Sequence, residues 1–219
     1  MCASAMQAQA AKSKLWEFPI KVRVQMDGPE RIIYPLQSMV FARVNPATGE
    51  REAVAGQFGL VPDWVDETKG GAKYGRHCYN ARTETVFEKP SFRKAIVTRR
   101  AVVPVDAFYE FPDKEVPLRH RFKIRAQGGG AFWLGAIWER NEGLGLDSVS
   151  VLTTGPMDLV APFHSRSPMI LDDGQVEAWL DPALRDAGAI AAAFKVHGSN
   201  GFEVEQEPWG KERKQGELF

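Results

Sequence analysis

The sequence is poor in cysteine and carries no excess of charge, and these two absences exclude several classes of protein. Cys2 and Cys78 are the two cysteines in 219 residues. This is too few for a disulfide-stabilised scaffold or for a zinc site built from Cys-x-x-Cys pairs. Twenty-eight basic residues balance twenty-eight acidic ones, so no overall positive field attracts a polyanion. A site for nucleic acid must therefore be a local patch.

The chain also lacks long apolar segments and common cofactor motifs. The apolar stretch at residues 133–138 is far shorter than the roughly 20 residues that a membrane helix needs. The first residues show neither the basic nor the apolar region of a secretory signal. No G-x-S-x-G, P-loop or dinucleotide-binding motif is present, and the four histidines have no metal-ligand spacing. We therefore expect a cytoplasmic protein with no membrane contact, no cofactor and no metal.

Short runs of β-branched and aromatic residues separated by turn residues predict a chain made mainly of strands. The predicted strands are residues 20–24, 39–44, 53–60, 101–105, 121–125, 132–138 and 148–152. Helical patterns are fewer, at residues 91–99, 176–180 and 182–194, with a turn at 158–161. Glycine clusters at 128–130 and 143–145 predict hairpin tips. The pattern indicates an α+β fold whose mostly antiparallel, curved or barrel-like sheet is flanked by a few short helices.

The length and composition indicate one domain rather than two. A 44% hydrophobic chain of this size buries one substantial core. We expect this domain at residues 1–206, followed by a polar C-terminal tail at 207–219. No heptad pattern or long apolar stripe predicts a dimer seam, so the expected state is a monomer.

Cys2 is the most informative single position. Removal of Met1 would leave an amine and a thiol on one residue, with ordinary pKa values near 8 and about 8.5. An amine adds to an aldehyde as a Schiff base, and a neighbouring thiolate closes on the same carbon to form a five-membered thiazolidine. The alternative is a cysteine that merely follows the initiator.

Five further segments carry a resemblance to a known family. They are N-A-R-T-E at residues 80–84, F-Y-E-F at 108–111 and H-S-R-S-P at 164–168, with G-L-V-P-D-W at 59–64 and L-T-T at 152–154. In order and spacing the chain resembles the SOS-response-associated peptidase (SRAP) family over nearly its whole length. The resemblance implies a compact α+β fold with a barrel-like sheet. It also implies an N-terminal cysteine that crosslinks to abasic sites in single-stranded DNA.

The resemblance implies catalytic roles for four residues. Cys2 is the nucleophile, and Glu110 is the acid–base group that manages proton transfers in Schiff-base formation, ring closure and release or strand cleavage. His164 donates a proton to the ring oxygen as the abasic sugar opens. Asn80 holds the amine and the sugar in register. Without the motif, a glutamate in this position is more often a solvated edge-strand residue, and a lone histidine is more often structural.

Three further residues are candidates for DNA contact. Arg82 and Arg166 flank the chemical residues and bind phosphates bidentately in this interpretation, although exposed arginines commonly form salt bridges instead. Trp64 follows a proline and an aspartate in a turn, where it stacks on a base or packs in the core. Together these residues would supply the local patch that a neutral chain requires.

The N-terminal motif departs from the family pattern. Family members typically begin Met-Cys-Gly-Arg, whereas this chain continues from Cys2 with Ala3 and Ser4. The missing glycine restricts the backbone beside the nucleophile, and the missing arginine removes a phosphate contact. Ala107 and Phe111 also replace the usual glycine and tryptophan around Glu110. These changes predict a divergent member with weaker DNA contact at its N-terminus.

Three functions remain open on the sequence. The first is an abasic-site crosslinker that protects damaged single-stranded DNA. The second is a thiol peptidase, acting even on its own Met1–Cys2 bond, with Cys2 activated by Glu110 or His164. The third is a single-stranded DNA-binding module in which Cys2 plays no part.

Overall fold

A computed structural model describes residues 4–24, 30–112 and 120–209. The strands are β1 Ser4–Gln7, β2 Lys21–Val22, β3 Arg31–Ile33, β4 Ser38–Val44, β5 Arg51–Phe58, β6 Asn80–Arg82, β7 Arg100–Val105, β8 Ala107–Glu110, β9 His120–Ala126, β10 Phe132–Asn141, β11 Leu146–Thr154, β12 Ser167–Pro168, β13 Ile170–Leu171 and β14 Phe202–Pro208. The helices are α1 Gln9–Glu17, α2 Arg93–Thr98, α3 Asp173–Leu180 and α4 Ala187–Ala191. Two 3₁₀ segments cover Glu67–Lys69 and Gly71–His77. Of the helices in these described ranges, none is long and apolar enough to cross a membrane.

Five strands close into a barrel. Antiparallel pairs join β5 to β4, β4 to β7, β7 to β10 and β10 to β11, and a parallel pair at residues 57–58 and 148–149 joins β11 back to β5. Gly59 follows the closing pair with a φ of +127°, a conformation that favours glycine. A Cβ on Gly59 would overlap the carbonyl oxygen of Gly75. The barrel therefore closes where two glycines allow two backbones to touch.

A second, five-stranded antiparallel sheet has the order β14-β9-β8-β1-β3. It joins the N-terminal strand to strands from the middle and the end of the described chain. Ser4 of β1 lies opposite Tyr109 of β8, and Phe122 of β9 lies opposite Glu110. This sheet therefore holds the N-terminal strand next to the strand that carries Glu110.

Alternate residues of the barrel strands enter two apolar clusters. On β10, Trp133 and Ile137 pack with helix residues such as Trp179 of α3, whereas Leu134 packs with Phe108 of the five-stranded sheet. Successive residues of a strand point to opposite faces, so one strand serves both clusters. The barrel thus lies between the helices and the second sheet, and all these side chains are buried.

The predicted α+β fold with a mostly antiparallel, barrel-like sheet and a few short helices is confirmed. Three local predictions were wrong. The helix predicted at 182–194 is reduced to α4, because Asp186 caps the N–H of Ala189 and starts the helix late. The helix predicted at 91–99 is shortened to α2, which has Phe92 at its N-cap position, and the Ser91 hydroxyl hydrogen-bonds to that of Tyr74 rather than capping the helix. Residues 128–130 connect the two sheets, since β9 and β10 are not paired with each other.

Candidate active site

Glu110 and His164 form a buried pair. The Oε2 atom of Glu110 lies 3.7 Å from Nε2 of His164. The Glu110 side chain has no solvent exposure and that of His164 is 5% exposed. Burial disfavours an isolated charge and strengthens electrostatic interactions between neighbouring groups. A carboxyl group and an imidazole at this distance can relay protons to a substrate held beside them.

The five-stranded sheet and one aromatic stack bring Glu110 and His164 together. Glu110 ends β8, opposite Phe122 of β9. The ring of Phe163 stacks on the ring of Phe122, with centroids 3.8 Å apart and an interplanar angle of 12°. His164 follows Phe163 directly, so the stack sets the imidazole over the end of β8.

The backbone of Arg166 offers the His164 ring a partner in either protonation state. The Arg166 N–H donates to Nδ1 of His164 at 3.0 Å, and the Arg166 carbonyl oxygen lies 2.9 Å from the same nitrogen. In the neutral ring that accepts from this N–H, the hydrogen is on Nε2, the atom that faces Glu110. In the imidazolium, Nδ1–H donates to the carbonyl oxygen instead. The ring can therefore gain or lose a proton without moving.

Asn80 and Arg82 lie on β6, next to the barrel strand β11. Asn80 is paired with Val151 and Arg82 with Thr153, both in parallel register. Residues two apart on a strand share a face. Asn80 is buried and Arg82 is exposed, so this face runs from the interior to the solvent.

Arg166 is already bound to acceptors of the protein. Its two terminal nitrogens donate to the two carboxylate oxygens of Glu84 at 2.6 and 2.9 Å. The Nη2 atom also donates to the carbonyl oxygen of Thr153 at 2.6 Å. The hydrogen bond from Arg166 holds the pKa of Glu84 below its ordinary value. A salt bridge is the alternative that the sequence left open for Arg166, but the sequence did not identify Glu84 as the partner.

Trp64 lies in a turn and is 43% exposed. Its ring meets the ring of Tyr74 edge to face at 5.5 Å, and the Lys69 ammonium lies 5.8 Å from its centroid. These contacts leave part of an aromatic face open to solvent, beside a cation. They do not involve the other predicted site residues.

Cys2 lies outside the described residues. The first described residue, Ser4, is buried opposite Tyr109. The other cysteine, Cys78, is buried, and burial raises the pKa of its thiol. A buried thiol with a raised pKa is a poor nucleophile.

Asp106 and Gln7, which the sequence did not single out, anchor the N-terminal strand. The N-cap residue of α1, Ala8, supplies no side-chain hydrogen bond. The Asp106 carboxylate instead accepts from the N–H groups of Ala8, Ala10 and Ala11 at 2.7 to 3.2 Å. The Gln7 amide donates to the carbonyl oxygens of residues 40 and 104 and accepts from the N–H of residue 40. Residues 8–11 include no Ser, Thr, Asn or Asp that could cap the start of α1. This lack is the one feature of the sequence that points to a cap from elsewhere in the chain.

A second layer of side chains covers the outer face of β8. The Arg121 guanidinium lies 4.2 Å from the ring centroid of Tyr109 and forms an ion pair with Glu207. Burial raises the pKa of Tyr109 to about 12, so the ring stays neutral beneath the cation. Trp209 contacts Phe111, the residue after Glu110, with ring centroids 5.2 Å apart. The C-terminal segment therefore supports the strand that bears Glu110.

Within the described residues, His, Cys, Asp and Glu side chains form no group of three that could hold a metal ion.

Comparisons with known proteins place these residues in a family context. A family model described as SOS response associated peptidase (SRAP) matches residues 1–206. The abasic site processing protein YoqW of Bacillus subtilis is 34% identical over 155 residues, which cover 68% of this chain and 66% of YoqW. YoaM of the same organism is 32% identical over 157 residues, 70% of this chain and 66% of YoaM.

The mouse abasic site processing protein HMCES is 29% identical over 164 residues, 61% of this chain and 46% of HMCES. The chain therefore spans slightly less than two thirds of the two bacterial relatives and under half of the mouse protein.

Solved structures share the fold. A crystal structure from Bacteroides thetaiotaomicron has a TM-score of 0.79 at 23% identity and covers 93% of this chain and 90% of that protein. One from Bordetella bronchiseptica has a TM-score of 0.78 at 22% identity, with coverage of 95% and 100%. At these identities the likeness concerns the fold alone.

Proposed function

Because the chain belongs to the SOS response associated peptidase family, we propose that it processes abasic sites in DNA by covalent capture through Cys2. The buried pair of Glu110 and His164, 3.7 Å apart, is the observation that carries the proposal. It supplies two proton-transfer groups beside the strand to which the N-terminal segment is attached. The relatives YoqW and HMCES are named for abasic site processing, which supports this substrate class.

The first step exposes the aldehyde of the abasic sugar. The closed sugar opens when its ring oxygen gains a proton, the C1′–O4′ bond breaks and the C1′ hydroxyl gives up its proton, which leaves C1′ as an aldehyde carbon. His164 is suited to donate that proton, because either ring state keeps a hydrogen bond to the backbone of Arg166. Glu110 stabilises the imidazolium before this transfer, accepts the proton of the C1′ hydroxyl, and returns it to the neutral imidazole afterwards.

The second step forms the crosslink. The α-amine of Cys2 adds to C1′, and loss of water from the carbinolamine leaves an imine. The Cys2 thiolate then adds to the imine carbon while the nitrogen takes a proton, which closes a thiazolidine with release of one water overall. Glu110 is placed to receive the proton from the amine and to return it to the departing hydroxyl. Positioned acid–base groups of this kind contribute about 10²- to 10⁴-fold.

In this proposal the remaining predicted residues position the DNA strand. Asn80 offers donors and an acceptor on the buried end of β6, and Arg82 offers a cation on the exposed end. Arg166 would hold a phosphate beside His164, and Trp64 would stack on a base with its open face. This local patch is consistent with DNA binding by a chain without net charge.

Intact mass after incubation with single-stranded DNA carrying one abasic site tests the proposal. We expect a heat-stable adduct whose mass equals protein without Met1 plus DNA minus one water. Glu110→Gln is expected to slow its formation at least a hundredfold. Glu139→Gln is the matched control, since Glu139 is equally buried, 2% exposed, but is paired with Arg99 away from this site. Equal rates in the two variants would remove Glu110 from the mechanism.

Two N-terminal variants separate the alternatives. Cys2→Ala removes the thiol, and an N-terminal extension removes the free α-amine while keeping the thiol. Thiazolidine formation needs both groups, so neither variant should give the heat-stable adduct. A thiol peptidase would keep peptide-cleaving activity in the extended form. A simple binding module would bind abasic and intact strands equally, with or without Cys2.

A further inference from the structure

The guanidinium of Arg166 presents one edge to a carboxylate of the protein itself. Both oxygens of Glu84 accept from this edge, which is the geometry that a bidentate phosphate also uses. The Thr153 carbonyl occupies a further hydrogen of Nη2. Among the described contacts of Arg166, one hydrogen of Nη1 and the buried Nε–H are not engaged. A phosphate therefore cannot bind bidentately to this edge while Glu84 remains there.

Glu84 can leave at low cost. Its side chain is 55% exposed, whereas that of Arg166 is 13% exposed. The backbone before Glu84 is fixed, because the N–H and the hydroxyl of Thr83 both donate to the carbonyl oxygen of Thr153. Release of the carboxylate therefore needs only side-chain rotation into water, and a phosphate that takes its place keeps the Arg166 guanidinium paired with an anion.

We propose that Glu84 is a built-in competitor of the DNA phosphate at Arg166, which lowers affinity for intact strands and is displaced when a strand is seated over the site. This inference rests on the proposed function. After the larger effect of Arg166, the charge of Arg82 also acts on Glu84 and lowers the pKa of its carboxyl group. Displacement of Glu84 would make Arg166 available to a phosphate, in addition to the exposed Arg82.

Affinity for intact single-stranded DNA tests the proposal, measured by fluorescence anisotropy with a labelled oligonucleotide. We expect Glu84→Gln to bind about three- to tenfold more tightly than the wild type. Glu88→Gln is the matched control, because it removes the same charge from an exposed residue that has no described contact with Arg166. General electrostatics would tighten both variants equally. Competition between Glu84 and a phosphate for Arg166 predicts tighter binding by Glu84→Gln and no change in Glu88→Gln.

Two further measurements identify the mechanism. Each phosphate contact steepens the salt dependence of binding to a single strand by about 0.7 in log–log slope. In the wild type, release of Glu84 offsets part of this effect, so Glu84→Gln should show the steeper slope, by up to about 0.7. In an Arg166→Ala background, Glu84→Gln should change neither the affinity nor the slope. Glu84→Ala provides a second test should the glutamine variant not fold, as judged by thermal melting.

Weaker binding by Glu84→Gln would overturn the proposal and make Glu84 a residue that orients Arg166 for the phosphate. Equal tightening by Glu84→Gln and Glu88→Gln would overturn it as well. Adduct formation on abasic DNA distinguishes the two proposals. If the wild type forms the adduct but replacement of Glu84 has no effect on DNA affinity, the proposed function stands and the competitor proposal is refuted. If the wild type forms no adduct and binds no single-stranded DNA, both proposals are refuted.

Discussion

Replacing Asp106 with alanine tests whether the N-terminal strand is held in place from outside its own helix. The carboxylate of Asp106 accepts three N–H groups at the start of α1, and the N-cap residue Ala8 offers no replacement. The Asp106→Ala variant therefore leaves these donors to water. It also frees the segment that leads back to Ser4 and Cys2.

The structure sets the expected size of the effect. Loss of one N-cap side chain costs about 0.5–2 kcal/mol, and Asp106 serves three donors with a charged acceptor. We expect a loss of about 2 kcal/mol in the free energy of unfolding. In a chain of this length, 1 kcal/mol shifts the melting temperature by about 2–4 °C, so the variant should melt about 4–8 °C lower.

The assay compares this variant with Asp172→Ala. Asp172 caps α3 through a capping box with Gln175, so its loss destabilises a helix that does not lead to the N-terminus. Asp106→Ala should slow adduct formation at saturating abasic DNA at least tenfold, because small misplacements of reacting groups cost up to about a hundredfold. Asp172→Ala should melt lower but keep the wild-type rate. Binding of intact DNA should be unchanged in both variants.

Equal crosslinking rates in the two aspartate variants, at equal loss of stability, would refute the reasoning. That result would mean that pairing of β1 with β8 and the hydrogen bonds of Gln7 position the N-terminus without Asp106.

Two further predictions concern the closure of the barrel and the free energy of unfolding at acid pH. Gly75→Ala should destabilise the fold severely in thermal melting, because its Cβ would overlap the carbonyl oxygen of Gly59, whereas Gly130→Ala meets nothing and should be neutral. The folded-state pKa of Glu84 lies below the ordinary 4.5 because of Arg166, so their pair stabilises the fold above the unfolded-state pKa. In urea titrations the stability difference between wild type and Glu84→Gln should shrink as the pH falls below 4.5; a difference that grows would contradict the assignment.

The sequence predicted the barrel strands well because their side chains carry the signal. Residues 39–44 and 101–105 are rich in β-branched and aromatic side chains, and the strands found there differ by one residue at their starts. Both faces of β7 are buried, and β4 is buried or half-buried from Met39 onward, so hydrophobic pattern and structure agree. The resemblance implies separate proton-transfer roles for Glu110 and His164, and the structure places the two side chains 3.7 Å apart.

The elements that the sequence missed depend on distant partners. β1 has no β-branched residue and is held by β8, by β3 and by the hydrogen bonds of Gln7. α1 is capped by Asp106, almost a hundred residues away in the chain, and no local pattern encodes such a cap. The partner of Arg166, Glu84, is equally remote in sequence. Local propensity cannot show contacts of this kind.

The five-stranded sheet has a consequence for the order in which the site comes into being. β1 lies inside this sheet and β14 at its edge, with β8 and β9 between them. During synthesis β1 emerges well before β8, and His164 emerges later still. Pairings between distant segments form slowly, because loop closure precedes them. A nascent chain thus presents its first residues to processing enzymes before the proton-transfer groups that would act with them have been assembled.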